Sequence, residues 1–205
     1  MVRRRARTRS KLPNKQPTQR IRALPMEALT PEQQAIVAAI NAGPRGRFNN
    51  EGPFAVFLHA PAFGMLAQAL GGYLRYRTSV PPRLSELAIL CTGRHWRAQF
   101  EWYAHARIAL KQGVSEQTIR DLHAGRPPKS APPDERAVYA FVKELYAKRR
   151  VSNAAFARVH KSLGDAGMVE LTGILGYYAM ISMILDVFRM PVPQGAPAPF
   201  KEPPY

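Results

Sequence analysis

The chain has 205 residues, a composition that is 46% hydrophobic and a formal net charge of +16 at pH 7. This length suits one well-buried domain, and the apolar content excludes global disorder. Nine of the 30 cationic side chains lie in residues 1–22, which contain no acidic residue. Much of the charge therefore belongs to the N-terminal segment, and nucleic acid is not the partner that we expect for the folded domain.

The N-terminal segment, residues 1–24, is predicted to be a basic, disordered tail. It is polar, rich in like charges and free of aromatic residues, so it lacks the apolar surface needed to fold. A polyanion-binding arm and an organellar transit peptide are the alternatives. No hydrophobic secretory core follows the first Met, so export is not expected.

The chain has a single cysteine, Cys91. It excludes an intramolecular disulfide and a two-cysteine redox motif, and it fits a reducing compartment. We therefore expect a cytoplasmic protein. The apolar neighbours of Cys91 indicate a buried, inert thiol rather than a nucleophile.

Helix signals dominate the sequence, and convincing two-residue strand periodicity is absent. Thr30, followed by Pro31 and Gln33, predicts a capped helix start. Apolar spacing and the positions of Pro, Gly and Ser divide the rest of the chain into further helices. The predicted helices cover approximately residues 31–41, 61–75, 82–96, 100–112, 116–123, 134–148, 153–163 and 167–189. The fold class is therefore all-α, a compact bundle of about eight helices.

An apolar run extends from Leu171 to Leu185 between two acidic residues. It is shorter than the roughly 20 residues that a helix needs to cross a bilayer. The run therefore predicts a buried core or interface helix, and no membrane span.

One segment, residues 83–113, concentrates residues that can transfer protons. Glu101 and His105 lie four apart, so they share a face of one predicted helix. Glu86 lies near the start of the preceding helix, and antiparallel packing of the two helices would bring it to His105. Such Glu–His spacing is also common on solvated helices. Spacing alone therefore favours a surface pair over a catalytic group.

Aromatic residues surround this constellation in the sequence. Trp102 lies beside the acidic and histidine positions, and it is expected to wall a cavity or fill the core. Tyr177 and Tyr178 lie in the apolar last helix, where at least one hydroxyl needs a buried partner. Core packing is the commoner role for such a pair, and a substrate-facing hydroxyl is the alternative.

Two stretches of the sequence resemble a known family. The run PPRLSELAIL from residue 81, followed by FEWYAHARIALKQGVSEQTI from residue 100, is similar to the central helix pair of the carboxymuconolactone decarboxylase family, within the alkylhydroperoxidase D-like superfamily. Residues 134–193 resemble the longer members. The resemblance covers about residues 25–195, and it implies an alkylhydroperoxidase D-like helical domain. Residues 196–205 remain as a Pro-rich C-terminal tail.

The peroxidase branch of the superfamily uses a Glu, then two Cys separated by two residues, then a His. Carried onto this chain, the Glu falls on Glu86 and the His on His105. The two Cys positions fall on Ala98 and Glu101, so both sulfur atoms are missing. A thiol-dependent peroxide reductase would have to use Cys91, which lies outside the motif and has no resolving partner.

The decarboxylase branch resembles this chain in having an acidic residue and a His in the same helix. It implies loss of CO₂ from a small carboxylated substrate, without metal or organic cofactor. His105 is then the candidate acid/base, Glu101 its partner and Glu86 the second carboxylate. Arg83, or else Arg94, is a candidate to bind the substrate carboxylate, although solvated arginines are commoner.

The same resemblance implies a homo-oligomer, a trimer or hexamer, with uncovered apolar surface expected on the 167–189 helix. The leading hypothesis is therefore a cofactor-independent lyase of this family. The alternatives are a peroxide reductase that uses Cys91, and a non-catalytic oligomeric binding protein with a polyanion-binding N-terminal arm.

Overall fold

The computed structural model describes residues 18–193 and 195–201, so most of the predicted basic tail, residues 1–17, lies outside the described residues. The described chain is all-α, as the sequence predicts. A 3-10 turn at Met26–Ala28 precedes the helices. These are α1 (Pro31–Ala42), α2 (Gly52–Phe57), α3 (Pro61–Tyr76), α4 (Pro82–Trp96), α5 (Gln99–Lys111), α6 (Glu116–His123), α7 (Pro133–Lys148) and α8 (Asn153–Val187).

The predicted helices and the observed ones differ mainly at α2. This helix lies between two predicted helices, where the sequence predicted none, because six residues are too few to show helical periodicity. Gly164, where φ is 63° and ψ is −175°, breaks α8 into two helical parts that correspond to the last two predicted helices. The difference at α2 does not change the fold class.

Helix starts follow the capping residues of the sequence. The backbone N–H of Thr30 donates to the Gln33 side chain at 2.8 Å, and the Thr30 hydroxyl accepts from the Gln33 backbone, which forms the predicted capping box. Ser115 caps α6 and Ser152 caps α8 in the same way through backbone N–H groups of the first turn.

Helix α4 lies at the centre of the bundle. Every residue from Leu84 to Gly93 is buried, and the helix packs against α5, α7 and α8. A helix enclosed on all sides needs few polar residues. Glu86 is therefore conspicuous, since only 4% of its surface is exposed in the middle of this apolar environment.

A tight corner reverses the chain between α4 and α5. Arg97 has a left-handed backbone conformation with φ of 56°, and the Ala98 N–H donates to the Gly93 carbonyl at 3.0 Å. The reversal packs α5 back against α4. This is the antiparallel arrangement on which the predicted meeting of Glu86 and His105 depends.

Helix α8 forms much of the remaining core. By length and composition it is apolar enough to cross a bilayer, but half of its most apolar window is buried inside the protein. Leu171, Ile174 and Leu175 are almost fully buried against the bundle. The predicted role of the apolar run as a core helix is consistent with this packing.

Exposed apolar residues lie on α3 as well as on the 167–189 stretch of α8. Five of the twelve exposed large hydrophobic residues in the described chain belong to α3, namely Phe63, Leu66, Leu70, Tyr73 and Tyr76, and three belong to the 167–189 stretch, namely Val169, Met183 and Val187. Leu66 is 74% exposed. The predicted homo-oligomer stays a prediction, and α3 offers one apolar face for it. Sedimentation of a Leu66→Glu variant tests whether copies associate through that face.

Arg83 ties the start of α4 to the start of α7. Its guanidinium donates to Asp134 at 2.5 Å and also to Glu135. The Glu135 side chain is only 1% exposed, whereas Arg83 is 27% exposed. This ion pair therefore satisfies a carboxylate that would otherwise be buried without a counter-charge.

We predict that Arg83→Met lowers the free energy of unfolding by about 2–3 kcal/mol, because it leaves the buried Glu135 unpaired. Urea denaturation measures the change. Arg120→Met is the matched control, since Arg120 pairs with Glu116 on the exposed surface of α6. That variant is expected to change stability by no more than about 0.5 kcal/mol. Equal effects in the two variants would contradict a specific structural role for Arg83.

Candidate functional site

The structure brings Glu86, His105 and Glu101 together. The His105 Nδ1 atom lies 2.6 Å from Glu86 Oε2, across the α4–α5 interface. Its Nε2 atom lies 3.0 Å from Glu101 Oε1, one turn earlier on α5. All three side chains are buried, so the imidazole ring is held between two carboxyl groups away from bulk solvent.

The two contacts of the imidazole are not equivalent. The contact between Nδ1 and Glu86 is a hydrogen bond. The contact between Nε2 and Glu101 has ion-pair distance, yet Glu101 Oε1 has no aligned hydrogen-bond partner within the described residues. Glu86 therefore anchors the ring through Nδ1, while Nε2 faces the carboxyl group of Glu101.

The two carboxyl groups keep His105 charged. Burial by itself lowers the pKa of His105, but the charges of Glu101 and Glu86 outweigh it and raise the pKa to about 9. The ring is therefore an imidazolium at neutral pH and can act as a proton donor.

A cavity of ≈ 100 Å³ opens beside this triad. Glu101 and His105 line it on one side, and Tyr177 and Tyr178 of α8 line it on another. The Tyr178 ring meets the His105 ring edge-to-face, with 5.0 Å between centroids. Two of the predicted substrate-binding residues thus lie at the cavity, together with two of the predicted catalytic ones.

Two cationic side chains, Arg45 and Arg75, also line the cavity. The Arg45 guanidinium lies 5.1 Å from the centre of the Phe54 ring and interacts with the hydroxyl of Tyr177. Within the described part of the chain, its buried Nε atom has no hydrogen-bond partner. A buried donor of this kind is costly unless something accepts from it, so Arg45 is equipped to bind an anionic group in the cavity.

Gly71 of α3 makes room for this arrangement. A Cβ atom at position 71 would lie 2.1 Å from the Tyr177 hydroxyl and 2.7 Å from an Arg45 nitrogen. Any larger residue would therefore displace both groups from the cavity wall. The neighbouring Gly72 has open space where its Cβ would lie.

The structure does not bring Arg83 or Trp102 to this cavity. Arg83 is engaged by Asp134 and Glu135 at the α4–α7 contact. The buried Trp102 packs at 5.3 Å against the rings of His123 and Phe200, the latter from the C-terminal segment. The geometry assigns both residues to packing and ion pairing at other places in the fold.

Sequence reasoning missed Arg45 and Arg75. Arg75 lies in the last turn of α3, and Arg45 lies in a Gly-rich stretch after α1. Nothing in their local sequence distinguishes them from the many solvated arginines of this basic chain. Their placement at the cavity follows from packing against α8, whose residues lie far from both arginines in the sequence.

No metal site is evident in the part of the chain that the structure describes. No group of three or more His, Cys, Asp or Glu side chains there is arranged to hold an ion.

Residues 61–144 match the sequence model of the carboxymuconolactone decarboxylase family. This central part of the chain is therefore similar to that family. The matched stretch contains Glu86, Glu101 and His105, and it also contains Arg75 of the cavity wall. No curated protein matches the sequence significantly.

Two solved structures share the fold. One is the alkylhydroperoxidase AhpD core of an uncharacterized peroxidase-related protein from Ralstonia eutropha, with a TM-score of 0.71 and 15% identity over 87% of this chain and 94% of the other. The other is a protein of unknown function from Agrobacterium tumefaciens, linked in its description to the antioxidant defence protein AhpD. It has a TM-score of 0.61 and 21% identity over 67% of this chain and 95% of the other. These similarities confirm the predicted alkylhydroperoxidase D-like fold.

We predict that His105 titrates near pH 9, and that Glu101→Gln lowers the pKa of His105 because burial is then opposed by one carboxyl group instead of two. NMR of the histidine rings measures both. His95 is an internal contrast, since burial and the charge of Lys143 lower its pKa. A midpoint for His105 at or below 6.5 would contradict the charged triad.

The raised pKa of His105 also makes stability depend on pH. Because the folded pKa is about 9 and the ordinary value is 6.5, the stabilisation from the charged ring is complete below about pH 6.5. It is lost as the pH rises through 9. Denaturation midpoints of the wild type and of His105→Gln should therefore converge across that window.

We predict that Gly71→Ala destabilises the protein and changes the cavity, because the added methyl group collides with Tyr177 and Arg45. Gly72→Ala is the matched control in the same helix, and it should be neutral or stabilising by up to about 1 kcal/mol. Thermal denaturation compares the stability of the two variants, and Tyr chemical shifts report which of them changes the cavity. Equal stability of the two variants would show that the cavity wall adapts without cost.

Proposed function

We propose that this protein is a cofactor-independent acid/base enzyme that decarboxylates a small carboxylated substrate, or performs a related lyase step. The observation that carries the proposal is the His105 ring, which is buried between two carboxyl groups and opens onto a cavity lined by two arginines. A general acid with a fixed orientation can protonate the substrate, and the nearby arginines can bind the negative charge that the substrate carries.

Some residues at the cavity would transfer a proton, and others would bind negative charge on the substrate. Glu86 orients His105 through Nδ1, and the Nε2 side faces Glu101 and the cavity. Arg75 attracts the substrate carboxylate, whereas Arg45 and the Tyr177 hydroxyl stabilise negative charge on a carbonyl oxygen. Arg75 and Arg45 thereby take the role that the sequence suggested for Arg83.

Decarboxylation at this site needs no redox partner. The bond between the substrate carbon and its carboxylate breaks, and CO₂ leaves. The electron pair moves into the adjacent conjugated carbonyl group and generates an enolate oxygen beside Arg45. The His105 imidazolium then donates its Nε2 proton to the carbon, and the neutral ring recovers a proton from solvent. The cavity of ≈ 100 Å³ is small, which favours a compact substrate or burial of only its reacting end.

The peroxide reductase alternative has less support. Its motivation is the fold, which this chain shares with a peroxidase-related protein. Burial raises the pKa of Cys91 to about 12, so its sulfur is a thiol rather than a nucleophilic thiolate at neutral pH. Ala98 and Glu101 occupy the positions where the peroxidase motif has its cysteines.

The proposal predicts that His105→Gln lowers turnover by about 10²–10⁴-fold, as expected for removal of a general acid. The measurement is CO₂ release from a panel of carboxylated lactones and β-keto acids. Cys91→Ala, which leaves the cavity untouched, should keep full activity. Wild-type turnover that survives in His105→Gln would contradict the role of His105. Peroxide consumption that disappears in Cys91→Ala would instead favour the reductase.

A further inference from the structure

A second and larger cavity lies on another side of α4. Its volume is ≈ 460 Å³, which is within the usual range of roughly 300–1,000 Å³ for small-molecule sites. It is formed by α4, the end of α6 and α7, and it shares no lining residue with the cavity at His105. The acid/base chemistry proposed for the cavity at His105 therefore does not involve this second cavity.

The wall of this second cavity is basic. Arg94, His95 and Lys143 line it, and its lining includes no carboxylate. Lys143 is exposed and has no ion pair among the described residues. Unneutralised cationic groups that converge on one concave surface attract an anion.

Arg94 is held in place for such a contact. Its Nε atom donates to the His123 carbonyl at 2.8 Å, and its guanidinium lies 5.5 Å from the centre of the Phe200 ring. Within the described range the Arg94 side chain makes no other hydrogen bond, so its terminal nitrogens remain available. A guanidinium fixed in this way can donate two parallel hydrogen bonds to a carboxylate.

The rest of the wall suits a flat apolar group. The rings of His95 and Tyr146 stack in parallel, with 4.4 Å between centroids and 12° between planes. Tyr139 and the buried thiol of Cys91 line the same cavity. The Tyr146 hydroxyl already contacts Thr92 at 2.9 Å, so this ring is positioned rather than free to rotate.

We propose that this second cavity binds a small aromatic carboxylate. Arg94 and Lys143 contact the carboxylate, and the aromatic ring lies against the His95–Tyr146 stack. The site is independent of the proposed acid/base chemistry, because α4 separates the two cavities and they have no lining residue in common.

Calorimetric titration of the full-length protein with benzoate tests the site, with benzamide as the neutral counterpart of the same shape. Benzoate is expected to bind and benzamide to bind at least about tenfold more weakly, since it lacks the charge. Lys143→Gln and Arg94→Gln should each weaken benzoate binding by about tenfold. Lys161→Gln is the charge-matched control on the exposed surface of α8 and should bind as the wild type does.

A space-filling variant distinguishes binding of benzoate in the cavity from nonspecific electrostatic attraction of benzoate to a basic protein. Ala147→Phe narrows the cavity and keeps every charge, so it is expected to abolish benzoate binding. The proposal is overturned if benzoate does not bind, or if benzamide binds equally well. It is also overturned if Arg75→Gln, at the other cavity, abolishes binding that Lys143→Gln leaves unchanged.

Discussion

The hydrogen bond between His105 and Glu86 is the contact on which the candidate site depends. It joins two helices across a buried interface, and it forms because the corner at Arg97 and Ala98 reverses the chain. A buried carboxyl group without a partner is costly, so Glu86 and His105 constrain each other and the register of α4 against α5. The proton-donating state of the ring follows from the same contact, since each carboxyl group beside it stabilises the imidazolium.

The two sides of the central helix α4 carry side chains of different charge. Glu86, on the side that meets α5 and α8, contributes an acid to the triad. Arg94 lies on the side that meets α6 and α7, where Lys143 of α7 adds a second positive charge to the cavity lining. The helix is buried along most of its length and lies between these two environments. One helix thus positions His105 through Glu86 and also lines the second cavity.

This chain differs from the peroxidase pattern because it has a carboxyl group at a position where that pattern has a cysteine sulfur. Glu101 stands at a position where that pattern has a cysteine, and the structure shows its carboxyl group beside His105 rather than in solvent. This chain therefore has a second acidic group next to the imidazole of His105. The similar structures share the fold, and the residue types around His105 limit which chemistry the site can support.

The sequence by itself determined the all-α class, most helix boundaries, the cap at Thr30, and the shared face of Glu101 and His105. These features depend on residues within a few positions of one another, for which helix geometry and local hydrogen bonds suffice. Only the tertiary structure placed Arg45 against Tyr177, moved Arg83 into an ion pair with Glu135, and packed Trp102 on Phe200. Those contacts join distant parts of the chain, and their partners are selected by how the helices pack rather than by local spacing.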